Sequence, residues 1–323
     1  MPQPADKSLI LSTDNFVFIR KGSGLCIETL LSYKPSSQPP FFCFNGLTYT
    51  WNRRHPNPHF LADKKQYYSR ESTTLTAVPE NYIRMVYDPF ERYQQIKGTH
   101  PRDQLEDDFL SIGYIFEESG IPPQDIGITG TVLIECQTVG KSDLDIVLRG
   151  ADNFRVARDV VKMHPTFKEL SPAEWEQYFD TYKLCHTDFP NFLRTAQRKH
   201  DRAFFNNSKI SIFGIRNDAE QRLSEDVNDI GEVALEGEIS GDRESAFHPA
   251  FYGIDMQKST LPQYNVTEIA ALGREYYLEG FVGDHVRCMG RLQQVTIQGS
   301  THYRVLVGRI DKFLNPSGNL HVL

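Results

Sequence analysis

Between residues 105 and 148 the spacing of apolar side chains changes from a helical period to a strand period, so both element types are expected in one core. Leu105, Phe109, Ile112 and Phe116 recur at intervals of four, three and four, which is one face of an amphipathic helix. Asp103, Glu106, Asp107 and Asp108 crowd its start, where negative charge suits the helix dipole, and Gly120 and Pro122 end it. The charged run Asp103–Asp108 is expected to be a solvated face. The pattern then becomes strand, turn, strand: IGITGT, a short bridge, and SDLDIVLRG. Asp152 is placed to cap a helix containing Phe154, Ala157, Val160, Val161 and His164, which Pro165 stops. Ser171-Pro172-Ala173-Glu174 has capping-box spacing and predicts a helix toward Leu184. A third helix is expected from near Pro190 to about Phe205, and KISIFGIR alternates as a strand over Ile210–Ile215.

These elements predict an α+β core over residues 101–225. Before it, residues 1–100 carry aromatic and short apolar stretches broken by Gly22-Ser23-Gly24, Pro39-Pro40 and Asn45-Gly46. They suggest a mostly β or α+β amino-terminal module, with SYKPSSQPP as a loop. After it, residues 226–323 hold EVALEGEIS, AFYGI, DHVRCMGRLQQVTI and HYRVLVGRI, punctuated by glycines. That texture suggests a small β-barrel of oligonucleotide-binding-like (OB-like) shape, and a small sandwich would read similarly.

Composition excludes several function classes. At 39% hydrophobic and 24% charged, with mean hydropathy -0.45, the chain resembles ordinary globular proteins. No apolar run approaches the ~18–20 residues that a bilayer requires, so no membrane span and no membrane partner are expected. The start, MPQPADKSLILSTD, has a short apolar piece at Leu9–Leu11 and does not read as a secretory signal. Five cysteines without a C-x-x-C pair point to reduced thiols in the cytoplasm. The net charge of -7 argues against coating nucleic acid over a large area; a nucleotide or a small acceptor suits it better.

The segment that carries chemistry is Gly130-Thr131, eleven residues, then Asp143-Leu144-Asp145. Two carboxylates alternating about Leu144 in an apolar strand project from the same face. They repel one another unless a cation lies between them, and Mg²⁺ suits such a pair because it takes hard oxygen ligands together with substrate phosphates. Gly130 follows the strand Ile126–Thr129 in a tight turn that opens a helix, whose free N–H groups and the Thr131 hydroxyl could hold a phosphate. Ser142 stands immediately before the first aspartate. A D-x-D on a strand edge can also be purely structural.

The segment GITGTVLIECQTVGKSDLDIVLRG is similar to the signature of the polymerase-β nucleotidyltransferase superfamily, over roughly residues 120–216. The whole chain also resembles uncharacterised predicted nucleotidyltransferases of archaeal type, in which VYDPFER (Val86–Arg92) precedes the core. The resemblance implies a nucleotidyltransferase core in which Asp143 and Asp145 are catalytic and bind two Mg²⁺ ions. It also implies that Gly130 and Thr131 contact a nucleoside triphosphate. The chain departs from that pattern at Glu135, where a glycine is usual, and at Ser211, where a third carboxylate is usual. Asp218 is a possible substitute for that acid.

Arg194, Arg198 and Arg202, spaced by four, share one face of the expected third helix and make a local basic stripe, with Lys199 and His200 beside it. The stripe suits triphosphate or an acceptor's phosphate backbone, and equally a solvated surface. Arg53 and Arg54 with Tyr49 and Trp51 read as packing and solvation, Tyr276-Tyr277 as core, and His55 and His59 as loop. Cys185-His186 lacks a visible third partner for nucleophilic chemistry. Two functions are therefore expected: a Mg²⁺-dependent enzyme moving NMP from an NTP to a hydroxyl acceptor, with nucleic acid among the candidate acceptors, or a non-catalytic nucleotide- or nucleic-acid-binding protein on the same fold.

Overall fold

The apolar stripe at Leu105–Phe116 does form a helix, Gln104–Glu118, and its four stripe residues are buried. Asp103 caps it, its carboxylate accepting from the N–H groups of Leu105 and Glu106. The computed structural model describes residues 5–13, 17–20, 29–35, 42–44, 47–52, 65–68, 73–76, 83–182, 188–223, 225–272, 276–308 and 318–323, those between 29 and 76 by their backbone. The expected features at Arg53, Arg54, His55, His59 and Cys185-His186 lie outside the described residues. The fold is mixed α and β, and the chain divides into two compact units. One comprises Met1–Gln66, Leu75–Glu169 and His200–Glu220; the other comprises Tyr67–Thr74, Leu170–Lys199 and Gln221–Leu323. Among the described residues no helix is long and apolar enough to cross a membrane.

In the first unit, β1 (Leu9–Ser12), β2 (Val17–Arg20), β3 (Thr29–Pro35), β4 (Phe42–Phe44) and β5 (Leu47–Asn52) form an antiparallel sheet. β6 (Lys65–Tyr68) and β7 (Thr73–Thr76) pair as a separate ribbon that is not wholly of this unit, since Tyr67–Thr74 are assigned to the other, and β8 (Ile83–Tyr87) completes the sheet in the order β4-β5-β3-β2-β1-β8. Ser32–Pro35, expected in a loop, belong to β3, because they pair with β5. Asp88 then caps α1 (Pro89–Lys97), with proline at its first position. α2 is the helix Gln104–Glu118.

The second sheet of this unit holds β9 (Ile126–Thr129), β10 (Leu144–Arg149), β11 (Phe167–Lys168), β12 (Arg202–Phe205) and β13 (Ser208–Ile215), in the order β11-β12-β13-β10-β9. β10 is parallel to β13 and antiparallel to β9. α3 (Gly130–Leu133) follows β9, and α4 (Ala151–Met163) follows β10. α1 packs onto β9 at Gly127, where a β-carbon would come within 3.0 Å of the Phe90 ring and of the Pro89 backbone. Phe90, Val147 and Ile215 pack together, and Leu9, Leu11 and Val17 pack on Leu133 and Ile134 after β9.

Two expectations for this unit fail. Asp152 lies in the first turn of α4 rather than at its cap; the cap is Gly150, and the free N–H of Ala151 donates to Glu220 Oε1 at 2.9 Å. The run Asp103–Asp108 is not a solvated face either, since Glu106 and Asp108 are each 1% exposed. Asp108 accepts from Gln104, Asn206 and Ser208, which satisfies its lone pairs. Glu106 accepts from Arg92 Nη2 at 2.5 Å and from Arg102 Nε at 2.9 Å. Arg92 also pairs with Glu135 at 2.8 Å, as does Arg102 at 2.7 Å. Four charges thereby tie α1, α2 and the segment after α3 into one network.

In the second unit, α5 (Pro172–Tyr182) begins with the expected capping box: Ser171 N–H donates to Glu174 Oε2 at 2.7 Å, and Glu174 N–H to Ser171 Oγ at 3.4 Å. It packs through Trp175 on Phe192 and Ala196 of α6 (Phe189–Lys199). Both helices, expected within the middle core, belong to the unit that holds the carboxy-terminal strands. These are β14 (Asp226–Gly241), β15 (Ala250–Ser259), β16 (Val266–Leu272), β17 (His285–Ile297), β18 (Ser300–Gly308) and β19 (Asn319–Val322). Their order is β14-β15-β16-β18-β17-β19, with a further pairing between β14 and β17. Alternate residues such as Val233, Leu235, Tyr252, Ile269, Val286 and Val305 fill the core, with Tyr276 and Tyr277. Arg304 is fully buried, donating to Gln293 Oε1 at 2.8 Å and Glu225 Oε2 at 2.7 Å.

Removing one member of a buried ion pair strands the other, which typically costs about 3–5 kcal/mol. Glu106→Gln is therefore expected to lower the unfolding free energy by about 3 kcal/mol or more, as measured by urea unfolding at pH 7. Burial pushes the Glu106 carboxyl up, but Arg102 and Arg92 outweigh it and hold it below 4.5. Its stabilisation is thus present above pH 4.5 and is lost as pH falls through the lower folded value. The wild-type advantage over Glu106→Gln should shrink below that pH, and a constant difference down to pH 3 would contradict the assignment.

Candidate functional site

Asp145 sits in β10, half-buried, and its neighbours are set by register rather than by sequence proximity. On β9 it faces Thr129, and on β13 it faces Ser211. Ser211 in turn faces Arg202 on β12. Thr129, Asp145, Ser211 and Arg202 therefore form one polar row across four strands, spaced by roughly 5 Å per strand. Arg202 Nη1 donates to Ser211 Oγ at 2.8 Å, and its Nε lies 3.9 Å from Asp201 Oδ2. Thr129 Oγ1 donates to the Lys7 carbonyl at 2.7 Å, which ties this end of the row to the chain before β1.

The turn after β9 comes directly against the acid. Gly130 has φ +71°, and a β-carbon there would lie 3.0 Å from Asp145 Oδ2. The position thus requires glycine twice, for backbone conformation and for space. Thr131 is half-buried in α3, which is a single helical turn, and its carbonyl accepts from Cys136 N–H at 3.0 Å. Ser142 closes a turn: its Oγ accepts from Thr138 N–H at 3.0 Å, and its own N–H donates to the Thr138 carbonyl at 2.9 Å.

Asp143 differs from expectation in one respect. β10 begins at Leu144, so Asp143 stands one residue ahead of the strand and is exposed, while Asp145 is inside it. The two carboxylates are therefore not a buried pair. Glu135 also finds its explanation. It adopts φ +59°, a left-handed conformation that favours glycine, and Arg92 and Arg102 take up its charge.

The arginine stripe is broken by the fold. α6 ends at Lys199, His200 turns the chain at φ +47°, and Arg202 begins a strand instead of continuing the helix to Phe205. Arg194 donates to the Val322 carbonyl at 3.2 Å. Arg198 pairs with Asp284 at 2.9 Å, its guanidinium 4.8 Å from the centre of the Phe281 ring. Of the three, Arg202 belongs to the row beside Asp145. Asp218 is exposed in a short turn after β13, and among the described residues no group of three His, Cys, Asp or Glu side chains is placed to hold a metal ion.

Asp143 and Asp145 suit one hard cation shared with phosphate oxygens. On β13 the position facing Asp145 is Ser211, a neutral hydroxyl bonded to a guanidinium rather than a further carboxylate. Two participants escaped sequence reasoning. Arg92 belongs to the buried side of α1 together with Pro89, Tyr93 and Ile96, and that helical spacing was its signal. The Arg202–Ser211 bond had none, since it depends on β12–β13 register.

The chain is 24% identical over 221 residues to an uncharacterised protein of Methanocaldococcus jannaschii. The alignment covers 65% of this chain and 63% of that protein's length. No family model matches the sequence, and no solved structure matches it.

Gly130→Ala is expected to cost about 1–2 kcal/mol for the left-handed backbone alone, and to displace Asp145. The check is thermal unfolding: a lower Tm is expected, and a wild-type Tm would contradict the packing of Gly130 on Asp145.

Proposed function

We propose that the first unit carries a nucleotidyltransferase-type site in which Asp143 and Asp145 bind Mg²⁺ with a nucleoside triphosphate and NMP passes to a hydroxyl acceptor. The observation that carries this reading is the meeting of Gly130 with Asp145: a strand, a glycine turn and a second strand bring backbone and carboxylate together. Thr131 follows Gly130 and Ser142 precedes Asp143, each carrying a hydroxyl, and Arg202 lies two strands from Asp145 with a guanidinium fork, groups suited to phosphate oxygens. A bound Mg²⁺ would neutralise phosphate charge and assist in-line displacement at the α-phosphorus. Asp145 is half-buried, so charge interactions made at its carboxylate are screened less than those of the exposed Asp143.

The Ser211–Arg202 bond favours a second reading, in which nucleotide is held without turnover. A serine that already accepts from a guanidinium does not take a proton from an attacking hydroxyl as a carboxylate does. The second unit supports an accessory binding role. Its pairing order, with β14 joined to both β15 and β17 and β16 parallel to β18, suits a small closed barrel of OB-like shape. Cys136 and Cys288 are not joined in disulfides, which suits a reducing cytoplasm.

Full-length protein incubated with Mg²⁺, α-labelled NTPs and a mixed pool of nucleic-acid and small-molecule hydroxyl acceptors should transfer label. Asp143→Ala/Asp145→Ala should lower transfer by at least about 100-fold, the scale of losing one organised charge-stabilising group. Equal labelling by both proteins would refute the enzyme. Nucleotide binding without transfer, lost in the double variant, would establish the second reading.

A further inference from the structure

The polar row beside Asp145 ends in a guanidinium, and this bears on how many ions the site accepts. We infer that the site holds a single divalent cation with its nucleotide, Arg202 supplying through Ser211 the positive charge that a second ion would otherwise bring. The inference rests on the nucleotide reading above.

Three observations support it. Ser211 is the in-register partner of Asp145 on a parallel strand, so it occupies the nearest position on β13 from which a second ion could be held. Its hydroxyl is buried and accepts from Arg202 Nη1 at 2.8 Å. A neutral oxygen that already receives a guanidinium hydrogen is a poor ligand for Mg²⁺, which favours carboxylates and phosphate oxygens. Arg202 also brings a guanidinium to the place beside Ser211, and positive charge there repels a second dication. The same guanidinium donates Nη1 to Ser211 and has its Nε 3.9 Å from Asp201, and its planar fork matches phosphate geometry. Finally, among the described residues no third acid is gathered around Asp145. The site therefore balances triphosphate charge with one ion and one arginine.

Counting bound Mn²⁺ by electron paramagnetic resonance tests this on the full-length chain, with each of the four α,β-methylene ribonucleoside triphosphates in turn. Wild type should saturate at one Mn²⁺ per chain in the ternary complex. Arg202→Met/Ser211→Asp, which removes the guanidinium and adds a carboxylate beside Asp145, should take two. Arg202→Gln alone keeps a donor for Ser211 and should leave the count at one, but weaken the tightest analogue by at least roughly tenfold, the scale of one charge-assisted hydrogen bond. Two ions on wild type overturn the inference and leave the nucleotide reading standing. No ion on wild type with any analogue overturns the nucleotide reading and the inference with it. A count of one on a folded Met/Asp variant, or unchanged analogue affinity in Arg202→Gln, overturns the role of Arg202 and Ser211.

Discussion

β10 runs between β9 and β13, and the register of those two pairings decides what surrounds Asp145. Leu144, Ile146 and Leu148 occupy one face of β10; Asp145, Val147 and Arg149 occupy the other. A slip of one residue would exchange the two sets and drive Asp145 into the apolar layer. Burial of the Leu144, Ile146 and Leu148 set, and of Val147 against Phe90 and Ile215, opposes that slip. The same register then places Thr129, Ser211 and, one strand farther, Arg202 in line with the carboxylate. Arg149, at the far end of the strand, lies 3.9 Å over the Phe90 ring, which fixes α1 against this face.

Both units bury charge, and in each case the charges arrive with partners. In the first, Arg92 and Arg102 answer Glu106 and Glu135, and in doing so position the segment between the glycine turn and the aspartates. In the second, Arg222 reaches Glu225, Glu244 and Glu268, while Arg304 reaches Glu225 and Gln293. Burial pushes the Glu268 carboxyl up, but His302, Arg222 and Arg304 hold it below the usual carboxylate range. Buried ion pairs contribute little over a well-packed apolar core, but breaking one is costly, so such networks select one arrangement of segments over its competitors. The Phe251 side chain under Arg222, at 3.7 Å, shows how closely charge and apolar packing are combined there.

The elements legible in the sequence were those whose cause is local. The stripe Leu105–Phe116, the capping box at Ser171–Glu174, the strand Ile126–Thr129 and the alternation in KISIFGIR depend on neighbours within a few residues, and each stands in the structure. Tyr276 and Tyr277 are core, as their apolar character suggested. Where the cause was distant, the sequence misled. Glu106 and Asp108 read as solvated because carboxylates usually are; arginines from α1 and the approach to α2, and an asparagine and a serine around the β12–β13 turn, bury them. The arginine stripe read as helical because its spacing is four, whereas His200 turns the chain out of the helix before Arg202.

Sequence alone determined that Gly130 and Asp145 lie on consecutive strand ends, because a glycine turn and an apolar strand are short-range features. It determined equally that Asp143 precedes Asp145 by two. Only the tertiary structure decided what completes the site. Ser211 and Arg202 reach Asp145 through hydrogen-bond register between strands far apart in the chain, and no local spacing encodes that pairing. The pair at Asp143 and Asp145 is a sequence feature; its cationic neighbour is a property of the fold.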